Sequence, residues 1–398
     1  MHVEILGGGP AGLTLAILLK TQDPAHQVRV VERGSRGATW GFGVVFSDRA
    51  LDFLRADAPH LHDLLTPRMQ SWRDLTIVHG DTRIPISGNG FAAIGRLELL
   101  GLLQQEAERL GVVLEFDQAL VDVQDLGAAD LHVAADGAFS ASRDARAQAF
   151  GTTVDWRSNR FVWYGSTLPF ETLTLTFRAH ALGVFCAHHY RYAADRSTFL
   201  VEVDEATYQR AGLETMSEAD SLRLCEQVFA PDLHAHKLLS NRSTWRRFPV
   251  VWNQRFSSGH TVLIGDALRT VHFSIGSGTR LAMEDAIALA RALRASSEAP
   301  RALRASSEAP RTLPGVAAID AALARFQAER QPPMKKIWDA ANVSLRWYEG
   351  MGSMMALDPH EFAYGYMTRS GRVDHAEMRR RDPRLAAAHE RAHPEQFI

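Results

Sequence analysis

The chain has only two cysteines, Cys186 and Cys225, among 398 residues. Two thiols cannot build a disulfide framework or, alone, a zinc site. Their scarcity fits a reducing, cytoplasmic setting. Lysine is nearly absent: Lys20, Lys237, Lys335 and Lys336 are the four, and arginine supplies the other cations. Neither sign of charge dominates. Lys+Arg 44 against Asp+Glu 46 leaves a formal −2, so no general field draws the protein to nucleic acid or to an anionic membrane. Long hydrophobic runs are missing as well. The longest uncharged stretch, Ile5–Leu19, has 15 residues interrupted by four glycines and a proline, too short and too broken for a bilayer span. No basic segment precedes it, so it does not read as a secretion signal. What remains, 46% hydrophobic and 23% charged residues, is the make-up of an ordinary globular chain. Its length predicts two or three domains or one composite domain.

The pattern along the chain changes texture twice. The opening reads strand, turn, helix, strand: His2–Leu6, then Gly7–Gly12, then 13–20, then Gln27–Glu32. Arg96–Leu110 has apolar residues at helical spacing, Gly111 stops it, and Val112–Phe116 and Asp130–Ala135 read as strands. From Phe161 to Val203 aromatic and β-branched runs alternate with turns, which predicts an antiparallel sheet. Helix returns at Met216–Phe229, a strand at Thr261–Ile264, and helices at Leu281–Leu293 and Ala317–Trp347. Residues after about 355 read as a polar helical tail. The decapeptide RALRASSEAP stands at 291–300 and again at 301–310. Two copies are too few for a solenoid, and the expectation is a tandem duplication in a surface loop.

Gly7-x-Gly9-x-x-Gly12 lies between the first strand and the first helix, and Glu32 follows 20 residues after Gly12. Glycines there permit a tight turn and let backbone N–H groups meet a pyrophosphate at the helix N-terminus. The acid after the second strand accepts from a ribose diol. Gly7, Gly9, Pro10, Ala11, Gly12 and Glu32 are therefore candidate dinucleotide contacts. This motif alone leaves FAD and NAD both open.

Two further stretches, ADLHVAADGAFSASR at 129–143 and TVLIGDALRTVHFSIGSGTRLAMEDA at 261–286, complete a trio. With them the sequence resembles the flavoprotein aromatic hydroxylases, single-component FAD monooxygenases of the para-hydroxybenzoate hydroxylase type. The resemblance covers roughly residues 1–350. It implies an α/β fold: a Rossmann-like FAD-binding domain with an inserted antiparallel substrate sheet and C-terminal helices. It divides the chain into 1–70, 95–155 and 255–345 for FAD, 71–94 and 156–254 for substrate, and a helical segment 346–398. It implies that Asp266 meets the ribityl chain and that Gly276, Ser277, Gly278 and Thr279 run along the flavin. A helix starting near Thr279 would aim its positive end at the ring, worth roughly 0.3–2 kcal/mol to an anionic reduced flavin. Arg33, Gly41, Phe42, Gly43, Arg96 and Asp136 complete the implied cofactor contacts. Arg269, Phe273 and Arg280 depart from the family, which often has His, Pro and Asn there.

The blocks at 40–47, 159–165, 184–202, 272–279 and 344–372 resemble one branch, the monooxygenase unit of salicylyl-CoA and 2-aminobenzoyl-CoA hydroxylases. The indole-hydroxylating protodeoxyviolaceinate monooxygenases are near relatives. The branch implies a standalone enzyme in which NADH or NADPH reduces FAD and O2 is the co-substrate. A flavin C4a-hydroperoxide then hydroxylates an electron-rich aromatic ring, here that of an aryl-CoA thioester. It implies no metal, and either a monomer or a homodimer. His188 and His272 are the candidate proton acceptors. Trp163, Phe185, Tyr190 and Phe273 are the candidate pocket walls. The arginine pair 246–247 and the triplet 379–381 read as solvated faces rather than as a CoA site. A hydroxylase of an indole or another free aromatic remains the alternative, and a flavin reductase without oxygenation the alternative of another class. The Gly-Trp-x-Trp-x-Ile-Pro motif of flavin halogenases is absent from the sequence.

Overall fold

The computed structural model describes residues 1–39, 41–303 and 315–397. Trp40 and most of the second RALRASSEAP copy lie outside the described residues. Three sheets organise the chain. The first has six strands in the order Ser257–Ser258, Thr261–Leu263, Leu131–Ala134, His2–Leu6, Gln27–Val31, Val113–Glu115. All its pairings are parallel except that of the short edge strand Ser257–Ser258. Helices cover it, so its central strands are largely buried, and the buried Glu4 among them is paired with Arg29 of the next strand at 2.9 Å. Helix Pro10–Gln22 begins with proline in its first turn and is buried continuously from Ala11 to Lys20. A helix enclosed on every side needs no polar stripe, which is why its pattern carries little helical periodicity.

The turn before that helix explains its glycines. Gly7 has φ +116°, and a Cβ there would sit 2.2 Å from the Ala135 carbonyl oxygen. A Cβ on Gly12 would sit 2.1 Å from the Gly7 carbonyl oxygen. Strand, turn and helix are thus pressed against the neighbouring strand Leu131–Ala134 with no room for a side chain.

The second sheet has eight strands. Its spine is Leu238–Leu239, Thr152–Ser166, Arg196–Val203, Gly183–Ala193, Leu173–His180, Leu75–His79 and Thr82–Ile86, and Arg246–Asn253 pairs with the long strand 152–166. Its pairs are antiparallel except that Leu75–His79 runs parallel to Leu173–His180. One face packs on helices Glu205–Arg210 and Glu218–Val228 through Phe185, Phe199, Val201 and Phe229. The other face meets the C-terminal helices through Leu75, Ile77, Leu175 and Phe177. A small third sheet, Gly43–Ser47, Phe91–Gly95 and Gln70–Trp72, packs on strand 183–193.

Two expectations change. The stretch after 355 is not a polar tail: helices Pro359–Thr368, His375–Arg381 and Pro383–Ala392 bury Phe362, Tyr366, Met378 and Leu385 against the second sheet. The first RALRASSEAP copy is not in a loop, because helix Gly278–Leu303 runs through it; its alanines, leucine and arginines are good helix formers.

One buried ionic cluster ties the first sheet to the helices. Asp285 is fully buried; its carboxylate accepts from Gly265 N at 3.0 Å and from Arg330 Nε at 2.8 Å, and pairs with Arg269 Nη1 at 2.8 Å. Arg269 and Arg330 are buried too. Removing the carboxylate would leave the buried Arg269 guanidinium without its ion-pair partner and Arg330 with Glu284 alone. Asp285→Ala should therefore lower the unfolding free energy by about 3–5 kcal/mol, read as a fall in the urea midpoint. A loss below about 1 kcal/mol would show that solvent or other acids compensate these cations.

Candidate functional site

The expected dinucleotide cradle is built and open. The helix that starts at Pro10 presents its N-terminal N–H groups beside Gly9, where an added Cβ would meet nothing within 4 Å. Glu32 is already engaged: its carboxylate accepts from Gly8 N at 2.8 Å and from Gly34 N at 2.7 Å. The acid holds the glycine turn in shape, and Arg33 beside it is exposed. Asp136 also closes its own turn, accepting from Ser140 Oγ at 2.5 Å and from Ser142 N at 3.3 Å. Burial pushes its pKa up, and those donors pull it back.

Asp266 and Arg96 face one recess. The Asp266 side chain is exposed to solvent, yet surrounding protein pushes its carboxyl pKa up, and Arg269 and Arg96 pull it back. Arg96 donates from Nε to Thr39 Oγ1 at 2.9 Å, and its charge is opposed by burial and supported by Asp266. An exposed carboxylate ringed by protein marks a cavity for a polar ligand. Helix Gly278–Leu303 starts at the same loop, and a Cβ on Gly278 would meet nothing within 4 Å. Gly276 is left-handed, and Ser277 Oγ donates to the Ile275 carbonyl at 3.1 Å, leaving Thr279 partly exposed. Open glycines, a helix N-terminus, an acid and a cation fit the phosphates and ribityl chain of FAD.

Gly41, Phe42 and Gly43 pack on the second sheet. A Cβ on Gly41 would lie 3.0 Å from the Trp163 ring, and one on Gly43 2.6 Å from Tyr192. The Phe42 ring lies against Gly165, where an added Cβ would meet it at 2.6 Å, and Phe42 O accepts from Arg96 N at 2.7 Å. These glycines are needed to seat the segment on the second sheet. Tyr190 serves the same seat: its hydroxyl donates to Gly43 O at 2.9 Å and its ring stacks on Trp72. Phe185 is a correction. Alternation along strand 183–193 sends it to the opposite face, into the core with Phe199 and Val201. The structure does not bring it to Tyr190 or His188.

Phe273 is brought in. Its ring lies 5.0 Å from Phe161 and 5.3 Å from His188, centroid to centroid. His188 stacks on Tyr348 at 5.0 Å, and His272 lies edge-on to Phe248 at 4.9 Å. At the centre sits a residue that sequence reasoning missed. Glu202, 2% exposed, faces both histidines. Its Oε2 lies 3.6 Å from His188 Nε2 and its Oε1 4.0 Å from His272 Nε2. Oε1 accepts from Asn159 Nδ2 at 2.8 Å, while Oε2 is buried without a hydrogen bond. Burial pushes His272 down to about 4 and His188 below its ordinary value, against the pull of Glu202. Burial raises Glu202, but His188, His272 and Asn159 outweigh it and hold it below the usual carboxylate range. Both imidazoles are thus neutral at neutral pH, beside a carboxylate.

A second missed residue comes from the C-terminal helices. Arg369 donates to Ser344 Oγ at 2.8 Å and to the Ser274 carbonyl at 3.0 Å, and lies over the Tyr366 ring at 3.7 Å. It clamps the loop 272–279 from outside. Another cluster in these helices, Glu361, His389 and His393, has ligand atoms close enough to share an ion. Glu361 Oε2 is hydrogen-bonded to His389 Nδ1 at 3.0 Å and to His393 Nε2 at 2.8 Å, which staples two helices together.

Comparison with known proteins agrees with this geometry. Residues 1–322 match the family described as FAD binding domain. The chain is 38% identical over 381 residues to a salicyloyl-CoA 5-hydroxylase of Streptomyces sp., covering 93% of this chain and 70% of that protein. It is 38% identical to the 3-hydroxy-4-methyl-anthranilyl-[aryl-carrier protein] 5-monooxygenase of Streptosporangium sibiricum, covering 74% and 80%. Protodeoxyviolaceinate monooxygenase of Chromobacterium violaceum is 32% identical, covering 93% and 94%. Among solved structures, 2-methyl-3-hydroxypyridine-5-carboxylic acid oxygenase superposes with a TM-score of 0.66 at 17% identity over 97% of this chain and 95% of that one. PqsL of P. aeruginosa, in complex with 2-aminobenzoylacetate, gives 0.63 at 22% over 88% and 97%. At those identities the two structures speak for the fold alone. The matched domain and the long relatives share one chemistry, and the chain belongs to the FAD-dependent aromatic hydroxylases of the para-hydroxybenzoate hydroxylase type, NAD(P)H- and O2-using monooxygenases.

Proposed function

We propose that the enzyme hydroxylates the ring of an aryl-CoA thioester, with salicylyl-CoA and 2-aminobenzoyl-CoA as the leading substrates. The observation that carries this is the similarity to a salicyloyl-CoA 5-hydroxylase across nearly the whole chain. In this reading 1–70, 95–155 and 255–345 hold the cofactor, 71–94 and 156–254 the substrate, and 346–398 closes the junction. The two buried free cysteines suit a cytoplasmic enzyme. No described helix is long and apolar enough to cross a membrane.

Gly9–Gly12, Glu32, Arg96, Asp266 and Gly276–Thr279 would hold the FAD. Bound there, it supplies the redox chemistry, taking electrons from NADH or NADPH and delivering them to O2. The chain's own work is to orient the ring, exclude water and manage a proton. Phe161, Phe248 and Phe273 form an apolar wall. A hydroxyl or amino group on the ring gains nucleophilic strength when its proton is withdrawn. His188, kept neutral by burial, would accept that proton, and Glu202 would balance the charge then formed on the imidazole. His272 faces the same carboxylate and belongs to the loop that would line the flavin.

Purified enzyme should consume NAD(P)H and add one oxygen to an aryl-CoA thioester, seen by mass spectrometry, and leave the free acid unreacted. Hydroxylation of an indole or free acid with inert thioesters would move the enzyme to the branch of its indole-hydroxylating relative.

The proton reading has its own test. His188→Ala should lower kcat about 100-fold or more, with FAD content and the rate of flavin reduction unchanged. In the native enzyme the acid limb of the kcat profile should fall below the ordinary histidine value of 6.5, because burial lowers the pKa of His188. Glu202→Gln removes the charge that raises it, so the limb should move to still lower pH while kcat falls at neutral pH. An unmoved limb in Glu202→Gln would exclude this carboxylate as the partner.

A further inference from the structure

A recess of about 570 Å³ lies beside this site and takes no part in the chemistry above. Three arginines line it, Arg160, Arg246 and Arg247, with four aromatic rings, Phe139, Trp156, Tyr208 and Trp245. The sequence reading assigned the arginine pair 246–247 to a solvated face; the structure adds Arg160 and the rings to it. Phe139 is 51% and Trp156 45% exposed, and the two rings lie nearly parallel with centroids 6.0 Å apart. Two large exposed rings stacked at a cationic recess are costly in water unless something flat covers them.

The arginines are held in place. Arg247 donates from Nε to the Arg157 carbonyl at 2.7 Å and from Nη2 to the Trp156 carbonyl at 2.6 Å. The Arg160 guanidinium lies 4.9 Å over the Tyr208 ring and pairs with Glu205 at 3.2 Å, while its Nη1 is buried without a hydrogen bond. Arg246 Nε donates to Thr244 Oγ1 at 3.1 Å. Arg160, Arg246 and Arg247 bring three guanidinium groups to one recess, an arrangement that favours a multiply charged anion. Aromatic faces beside such cations favour a purine.

The recess also has the right address. Across the strand pair, Arg160 faces Arg247 and Phe161 faces Arg246. Phe161 and Phe248, next in sequence to Arg160 and Arg247, are the rings that meet Phe273. Phe139 follows the Asp136-Gly137 turn by two residues. A ligand held here by its nucleotide end could send a chain around the strand edge to the aromatic wall.

We infer that this recess binds an adenosine diphosphate group, the purine against Phe139 and Trp156 and the phosphates against Arg160, Arg246 and Arg247. Besides FAD, whose own adenosine diphosphate would lie at the glycine cradle, two molecules in the proposed reaction carry that group, the CoA thioester and NAD(P)H. The inference rests on the proposed function only for the first of them.

The test uses the FAD-loaded enzyme and three variants, Arg160→Gln, Arg246→Gln and Trp156→Ala. Binding of adenosine 3′,5′-bisphosphate and of ADP is followed by calorimetry, and KM is measured separately for the aryl-CoA, for NADH and NADPH, and for an N-acetylcysteamine thioester that lacks the nucleotide. Each arginine variant should weaken nucleotide binding about tenfold or more, and Trp156→Ala should weaken it as well. A rise in KM for the aryl-CoA alone, with the truncated thioester unaffected, assigns the recess to CoA. A rise for NAD(P)H alone assigns it to the electron donor, and that result stands even if no thioester is a substrate. Unchanged nucleotide binding in all three variants, with melting temperatures preserved, overturns the inference. Should Arg160→Gln fail to fold, the exposed Arg246 and Trp156 decide it.

Discussion

The carboxylate of Asp285 is the point from which the cofactor half of the molecule hangs. It sits in the second turn of helix 278–303 and grips three things at once: the Gly265 backbone, Arg269 after it, and Arg330 from helix Val316–Glu349. Burying two guanidinium groups is expensive unless an acid meets them with good geometry. That requirement fixes where the Gly265-Asp266 turn lies relative to the helix that ends its loop. It also fixes the long helix 316–349, which carries Tyr348 to His188. Arg269 is one of the positions where this chain departs from its family, and the structure accounts for it: the side chain is spent in the cluster and leaves the recess to Asp266.

The second sheet depends on a different constraint, the two-residue alternation of strands 152–166, 183–193 and 196–203. Alternation puts Phe161, Trp163, His188, Tyr190, Leu200 and Glu202 on one face and Phe185, Phe199 and Val201 on the other. The second set makes an ordinary core. The first carries an acid and a histidine where a core would carry valine. A buried carboxylate with one oxygen lacking a hydrogen bond is unfavourable on stability grounds alone, and such groups gather where proton chemistry is done. The C-terminal helices then close the face. Arg369 fastens them to the Ser274 carbonyl, so the loop 272–279 is held by the C-terminal helices as well as by the sheet.

What could be read in the sequence follows from these two constraints. The glycine turn, the acid after the second strand, the helix after Gly278 and the aromatic strands were legible because each is a local pattern with a local cause. The face of Phe185 is not legible in the sequence because the run Val184–Ala187 is apolar at every position and does not say which face is the core. Glu202 was missed because one acid in a β-branched strand carries no motif. Its partners lie 43 residues before it at Asn159 and 70 after it at His272, and only the fold brings them together. The arginine pair at 246–247 looks like a solvated face in the sequence because Arg160 and Trp156 come from strand 152–166, Tyr208 from helix 205–210 and Phe139 from a loop.

Glu32 shows how the two halves of the argument meet. An acid in this position reads from the sequence as an acceptor for a ribose. In the structure its oxygens are already taken up by the N–H groups of Gly8 and Gly34. Each carboxylate oxygen can accept more than one hydrogen bond, so a ribose adds to this arrangement and does not displace it. The carboxylate therefore shapes the glycine turn before any ligand arrives. Ordering a turn of three consecutive glycines costs more chain entropy than ordering most other segments. Because the acid carries that cost within the fold, less of it falls on the binding step. The cradle is thus already shaped where the phosphates would sit.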